Sequence, residues 1–164
     1  MFEVLVFVYE HYWGGDACPE LEQLGRKLSA HGFDPDEINQ ALVWLDGLTL
    51  AARGARLENA QLSSQPPAAA AAQSASSMRV YSVAEQDHLG AQCLGFISFL
   101  ESAGVLPAPM REIVMERSMA APGDPVSLDD LKIIILMVYW SVDQEPDALV
   151  LDELCDPAEG RLAH

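Results

Sequence analysis

Residues 127–141 read S-L-D-D-L-K-I-I-I-L-M-V-Y-W-S and include the longest uninterrupted apolar run of the chain, residues 133–140. A helix that is apolar on all sides either lies in a protein core or spans a membrane. A membrane span needs roughly 20 such residues, so this run is far too short. It therefore predicts a buried helix around which the rest of the chain packs.

The three consecutive isoleucines of this run would also suit a buried strand. The residues before them favour a helix. Ser127 stands three positions before Asp130, as in a capping box with a short acid, and Asp129 adds negative charge where the helix dipole is positive.

The composition restricts the class of protein. The chain has 164 residues, half of them apolar, and a net charge of −16 from 25 acidic and 9 basic residues. A chain of this kind can bury a core, whereas its charge repels nucleic-acid phosphates and anionic lipid. We expect no membrane association, and nucleic acid is a disfavoured partner.

The amino terminus carries Glu3 and lacks the basic region of a secretory signal. The three cysteines, Cys18, Cys93 and Cys155, show no C-x-x-C spacing and suit a reducing compartment. We therefore expect a cytoplasmic protein.

Residues 1–56 are predicted to form a three-helix unit. Residues 2–13 can be strand or helix by periodicity, and we favour a helix with Phe2, Leu5, Tyr9 and Tyr12 on its buried stripe. A second helix starts at Pro19. The third has the clearest start, since Asp34 can cap it and Pro35 suits its first turn. The stripes of these two helices consist of Leu21, Leu24, Gly25 and Leu28, and of Ile38, Ala41, Leu42 and Leu45.

Residues 57–77, rich in Ala, Pro and Ser, are predicted to be a flexible linker, and residues 78–142 a second helical unit. Residues 78–82 suit a short strand. Ser82 and Glu85 then form a capping box for a helix that ends at Gly104. The stripes of this helix and of the next consist of Leu89, Cys93, Phe96, Ile97 and Leu100, and of Met110, Ile113, Val114 and Arg117.

The acidic end of the chain, residues 143–164, has two interpretations. We favour a solvated tail, because its acidic residues repel one another. A short amphipathic helix over residues 146–155, using Leu149, Val150 and Leu154, is the alternative. The fold prediction is thus all-α, with two small subdomains, the first of them helix-turn-helix-like, and a core that both halves share.

Six separated blocks now form an ordered pattern: M-F-E-V-L, G-F-D-P-D-E-I-N-Q-A-L-V-W-L, M-R-V-Y-S-V-A-E, G-F-I-S-F-L-E-S-A-G-V-L, R-E-I-V-M-E-R and L-D-D-L-K-I-I-I-L-M-V. In this order they resemble the bacterial Smg family. The resemblance implies a small, mostly helical, cytoplasmic bacterial protein of unknown biochemical activity. The family's genes are often near a gene for an Smf-type DNA-processing protein, which is only an association. The resemblance transfers no catalytic or binding residue.

The residues themselves indicate no catalytic, cofactor or metal site. The four histidines and three cysteines are dispersed, and the chain lacks C-x-x-C and H-E-x-x-H spacing, a Gly-rich phosphate loop and a G-x-S-x-G elbow. Cys93 lies on an apolar stripe, so a core role suits it better than nucleophilic chemistry. His88 is five positions away and does not share its helix face. His31 suits the negative end of its helix. An enzyme without a recognisable motif stays an alternative.

A helix-turn-helix protein that binds nucleic acid is a second alternative, because the second and third helices have suitable lengths. Its recognition helix would start with Asp34, Asp36 and Glu37, which repel phosphate. The bases nearby are scattered: Arg26, Lys27, Arg53 and Arg56.

The interpretation we favour is a non-enzymatic protein-interaction or regulatory module with an unidentified protein partner. Methionine side chains adapt to varied partners, so the candidate contact surface consists of Met110, Met115 and Met119, with Arg111 and Arg117 nearby. A core role is the alternative, because at least Met110 falls on the stripe that we expect to be buried.

Overall fold

The computed structural model describes residues 1–12, 20–64 and 79–155; for residues 58–64 and 149 it describes only the backbone. These ranges contain helices and no strand, so the all-α prediction is confirmed. The helices in chain order are α1 (Phe2–Tyr12), α2 (Leu21–Ala30), α3 (Pro35–Ser64), α4 (Val83–Ser102), α5 (Ala108–Met119), α6 (Leu128–Ser141) and α7 (Ala148–Cys155).

Helix α6 is the centre of the fold, as its sequence predicts. Ser127 caps it: the Asp130 amide donates to Ser127 Oγ at 3.1 Å, and the Ser127 hydroxyl donates to Asp130 Oδ2 at 2.7 Å. The helix contacts α1, α3, α4, α5 and α7. Its buried residues therefore cover most of its circumference: Leu131, Lys132, Ile134, Ile135, Leu136, Met137, Val138 and Tyr139.

A single hydrophobic cluster contains residues from both sides of residues 65–78, which confirms the expected shared core. Helix α1 packs on α6, and α3 packs on α5 and α6. Trp44 and Arg117 join α3 to α5 in both directions, because the Trp44 indole donates to the Arg117 carbonyl at 2.9 Å and Arg117 Nη1 donates to the Trp44 carbonyl at 3.4 Å. Gly47 makes room for this guanidinium, since a Cβ there would lie 1.9 Å from Arg117 Nη1.

Helix α4 starts with the predicted capping box of Ser82 and Glu85 but bends at Gly90, whose φ is 67°. The sequence gives no sign of this bend. Glycine adopts such a backbone at little cost. Just before the bend, the His88 carbonyl accepts a hydrogen bond from the Val126 amide at 2.8 Å, outside the helix. The bend therefore ties α4 to the loop that leads into α6.

An ion-pair network fixes the chain where it enters α4. Arg79 Nη2 donates to Glu85 Oε1 at 2.8 Å, and Arg79 Nε donates to Glu112 Oε1 at 2.9 Å. Arg111 also donates to Glu112, at 2.7 Å, and to Glu101. The hydrogen bond from Arg79 lowers the pKa of Glu85 to about 2. Desolvation alone would raise the pKa of Glu112, but the bonds from Arg79 and Arg111 lower it overall.

The stripe predicted for α1 packs against the core, but it is not the most buried part of the helix. Leu5 is buried as predicted, but its buried neighbours are Val4 and Val8, whereas Phe2, Tyr9 and Tyr12 are only half-buried. Helix α1 is apolar on nearly every side, so periodicity does not select one face. Valines permit closer contact with α3 and α6 than the larger aromatic side chains do.

Two further predictions differ from the structure around residues 56 and 78. Helix α3 continues to Ser64, past residue 56, because a glycine such as Gly54 costs a helix only about 1 kcal/mol and does not end it. Residues 79–82 form no strand. A strand needs a partner for its backbone, and the described ranges offer none; Met78 and residues 65–77 lie outside them. The division into two subdomains stays a prediction.

Within the acidic end, Ala148–Cys155 form a helix, α7, in agreement with the alternative interpretation of residues 146–155. Leu154 is 4% exposed, and the helix packs on α6. Burial raises the pKa of Tyr9 on α1 to about 12, and the charges of Cys155 and Glu145 add to the shift. The prediction of a solvated tail is therefore wrong for residues 148–155, because the apolar face of α7 packs against α6. Residues 156–164 lie outside the described ranges.

The burial of α6 yields a first prediction. Ile134 is 0% exposed and its neighbour Ile133 is half-buried. Ile134→Asp should destabilise the protein by more than about 4 kcal/mol, because an unpaired charge would lie in the core. Denaturant unfolding followed by circular dichroism measures this, with Ile133→Asp as the matched control. A smaller effect at 134 than at 133 would contradict the central position of α6.

The ion-pair network yields a second prediction. Because the folded-state pKa of Glu85 is lowered from 4.5 to about 2, its contribution to stability is complete above pH 4.5 and is lost as the pH falls towards 2. Glu85→Gln should therefore unfold more easily than wild type at pH 7, and the difference between them should shrink over that window. The samples must be dilute, because the pH window includes the pI of about 4.3, at which proteins tend to precipitate.

Glu10→Gln is the control, because Glu10 is exposed and forms no ion pair with a described residue. A stability difference between Glu85→Gln and wild type that stays constant from pH 7 to 2 would refute the role assigned to Arg79.

Candidate functional site

The candidate site is a groove, here called the α3 groove, between the start of α2, the middle of α3 and the end of α6. Its volume is about 480 Å³, within the range of small-ligand and side-chain pockets. The lining residues are Glu20, Leu21, Glu22, Leu45, Asp46, Thr49, Leu50, Arg53 and Trp140.

The floor of the α3 groove is apolar. Leu45 is 3% exposed, and Leu21 and Trp140 are half-buried beside it. The Trp140 indole donates to the Tyr12 carbonyl at 3.4 Å, and Arg56 Nη2 donates to the Ser141 carbonyl at 3.2 Å. These two bonds hold the end of α6 against α1 and α3, so the floor is built from parts that are distant in sequence.

The rim of the α3 groove is acidic. Glu20 and Glu22 stand at the start of α2 and Asp46 on α3, whereas Arg53 is the one base among the lining residues. Glu22 reaches Arg26 at 4.0 Å, but both side chains are exposed and such pairs stabilise little. The rim therefore keeps an excess of negative charge.

This geometry suits a particular ligand. Burial of an apolar side chain against an apolar floor lowers the free energy of the complex. Acidic groups around it attract a neighbouring cation and repel an anion. The α3 groove is therefore complementary to an apolar side chain that has Lys or Arg beside it.

A second concave surface lies between α1, α6 and the turn after α2, with a volume of about 440 Å³. It is lined by Phe2, Glu3, Val6, Phe7, Glu10, Phe33 and Ile133. Phe7 and Phe33 meet edge to face, with ring centroids 5.4 Å apart. Their packing fixes the turn between α2 and α3 against α1.

The structure brings together two histidines that sequence reasoning treats as dispersed. His11 stacks on Phe7 at 3.9 Å, and the centroids of His11 and His31 are 6.3 Å apart. His11 Nδ1 also lies 2.8 Å from the Phe7 carbonyl oxygen. His31 is the C-cap residue of α2, which agrees with its predicted place at a helix end. The two rings are close because tertiary packing brings the ends of α1 and α2 together. No local sequence pattern predicts this contact.

The methionine surface predicted on α5 is wrong. Met110 is 5% and Met115 is 2% exposed, whereas Met119 is 39% exposed. Helix α5 contacts α3, α4 and α6, so little of its surface is left for a partner.

The two arginines predicted beside that surface are also engaged within the chain. Arg111 is 7% exposed and pairs with Glu101 and Glu112. Arg117 pairs with Glu116 at 2.8 Å in addition to its bond to Trp44. They stabilise helix packing and present no basic surface.

Cys93 lies in the core, as predicted. It is 1% exposed and its thiol donates to the Val126 carbonyl at 3.4 Å. Burial raises the pKa of Cys93 to about 11, which disfavours the reactive thiolate. His88 binds elsewhere, with its Nε2 3.1 Å from the Ser118 carbonyl oxygen.

The scattered bases of α2 and α3 do not converge on one surface. Arg26 meets Glu22, Lys27 donates to the Tyr12 hydroxyl at 3.2 Å, and Arg56 binds the end of α6. Arg53 lies in the acidic α3 groove. A nucleic acid would therefore contact isolated arginine and lysine side chains that have acidic side chains around them.

In the part of the chain that the structure describes, no three His, Cys, Asp or Glu side chains are grouped as metal ligands. None of the helices there is both long enough and apolar enough to cross a membrane. Cys18 and His164 lie outside the described ranges.

Comparison with known proteins identifies the family of this chain. Residues 1–164 match the family described as "Protein of unknown function (DUF494)". The chain is 56% identical to the Protein Smg homolog of Methylibium petroleiphilum and 56% to that of Leptothrix cholodnii, and 47% to that of Bordetella avium. Each of these matches covers 100% of both chains. No solved structure matches. The chain therefore belongs to the Smg family, the family that its six sequence blocks resemble.

Proposed function

We propose that this protein is a non-enzymatic interaction module that binds a partner protein in the α3 groove. The ligand is an apolar side chain flanked by Lys or Arg. The observation that carries the proposal is the combination of a floor formed by Leu45 and Trp140 with a rim formed by Glu20, Glu22 and Asp46.

The charge of the whole chain supports this choice of partner. At −16, the protein attracts basic segments over a distance of several ångströms and increases their rate of encounter. The apolar floor then selects among them. A cytoplasmic location, where such partners are plentiful, belongs to the same proposal.

Helices α2 and α3, which the sequence predicts to be helix-turn-helix-like, form two walls of the α3 groove. Asp34 binds the amide of Asp36 at 2.9 Å and so starts α3, and Asp36 and Glu37 follow in its first turn. An element that begins with three acids is poorly suited to read DNA. These acids are explained by helix capping and by the helix dipole.

The proposal predicts where a partner cross-links. A photoreactive amino acid at Thr49, which lines the α3 groove, should capture a partner in native cells, and mass spectrometry should locate the cross-link at an apolar residue next to Lys or Arg. The same amino acid at Val83, which is 73% exposed on α4, is the matched control.

Reversal of the rim charge should reduce that capture. Glu22→Lys with Asp46→Lys should weaken binding by about tenfold or more, because each lysine repels the basic ligand. Glu3→Lys with Glu10→Lys makes the same change in net charge on the second concave surface and should have little effect. Equal losses in both double variants, capture only from position 83, or turnover of a metabolite by the purified protein would refute the proposal.

A further inference from the structure

Three large apolar side chains on α3 lie in solvent at a regular spacing. Val43 is 67%, Leu50 is 61% and Leu57 is 65% exposed. They are seven residues apart, so they form one stripe that drifts by only about 20° per step. Single exposed apolar residues are common, but an aligned series is typical of a helix that packs against another helix.

The stripe faces away from the core. The opposite side of α3 carries Ala41, Trp44, Leu45 and Leu48, which are at most 3% exposed. The stripe therefore contributes nothing to the packing of the described chain, and its exposure carries a free-energy cost that a partner would remove.

We infer that this stripe is the interface of a homodimer in which α3 packs antiparallel against α3 of a second copy. A twofold axis through Leu50 places each Leu50 against its equivalent. The same axis places Val43, seven residues before, against Leu57, seven residues after. The spacing is thus symmetric about its own centre, as an isologous interface requires.

Two charged residues beside the stripe have the same symmetry. Asp46 lies four residues before Leu50 and Arg53 three residues after it. In the antiparallel pair, Asp46 of one copy lies within about 1.5 Å along the helix axis of Arg53 of the other. Both residues are exposed, and neither forms an ion pair with a described residue. They lie on the same flank of α3, so both ion pairs form along one edge of the dimer.

The net charge opposes self-association. Two copies at −16 repel each other, so a dimer needs attraction where the surfaces meet. Asp46 and Arg53 supply two opposite-charge contacts without any change in net charge. An unrelated partner would not require a pattern that is symmetric about Leu50.

The size of the stripe sets the expected affinity. A stable interface buries about 800 Å² on each partner, and three side chains supply part of that area. We expect a dissociation constant on the order of 10 µM. Because Asp46, Leu50 and Arg53 also line the α3 groove, dimerisation and partner binding compete for the same side chains. The inference does not depend on the proposed function.

Sedimentation equilibrium of the purified full-length protein, with no partner present, tests the dimer. Wild type should change from monomer to dimer between about 1 and 100 µM. Leu50→Glu should weaken the dimer by at least about 100-fold, because two acids would then face each other across the axis in place of two buried leucines. Phe99→Glu on α4, where Phe99 is 59% exposed, is the matched control and should dimerise as wild type does.

Charge exchange tests the antiparallel register. Asp46→Arg alone and Arg53→Asp alone should each weaken self-association by about tenfold, since each brings like charges together. An equal mixture of the two variants should recover wild-type affinity, because every contact is then between opposite charges. Circular dichroism checks that each variant is folded, and Val43→Glu replaces Leu50→Glu if that variant is not.

Three results would overturn the inference: a wild-type monomer at about 500 µM, a dimer that Phe99→Glu disrupts and Leu50→Glu does not, or a mixture no stronger than its components. A monomer would leave the α3 groove as a candidate site, since partner capture at Thr49 is measured separately.

Discussion

The burial of α6 on nearly all sides constrains the positions of the other helices. An apolar helix of this kind has no solvent face, so neighbours must cover it in every direction. Helices α1 and α3 cover one part, and α4, α5 and α7 cover the rest. The two halves of the chain share a core for this reason, and the end of α6 delivers Trp140 to the α3 groove.

Local chemistry explains which parts of the fold the sequence predicts well. Ser82, Asp34 and Ser127 each begin a helix as predicted, because a cap acts within three residues of the chain. The face that α1 buries and the burial of Met110 and Met115 depend on the helices that pack against them. Both features follow from tertiary contacts. When a helix is apolar on several sides, its periodicity does not indicate which side will be buried.

The α3 groove escapes prediction for a related reason. Glu22, Asp46 and Trp140 are far apart in sequence, and each alone reads as an ordinary surface or core residue. Only the packing of α2, α3 and α6 combines them into an apolar floor with an acidic rim. The same helix, α3, presents Leu50 outward, so one element joins the core, the α3 groove and the inferred dimer surface.

We expect α6 to unite both halves of the chain into one cooperative unit. Native-state hydrogen exchange measures the opening free energy of each helix directly. Amides of α6, of α1 and of the core-facing part of α3 should therefore exchange with the same opening free energy, equal to that of global unfolding. Exchange of α1 and α3 at a clearly lower free energy than α6 would contradict it, because the first half would then open while α6 stayed folded.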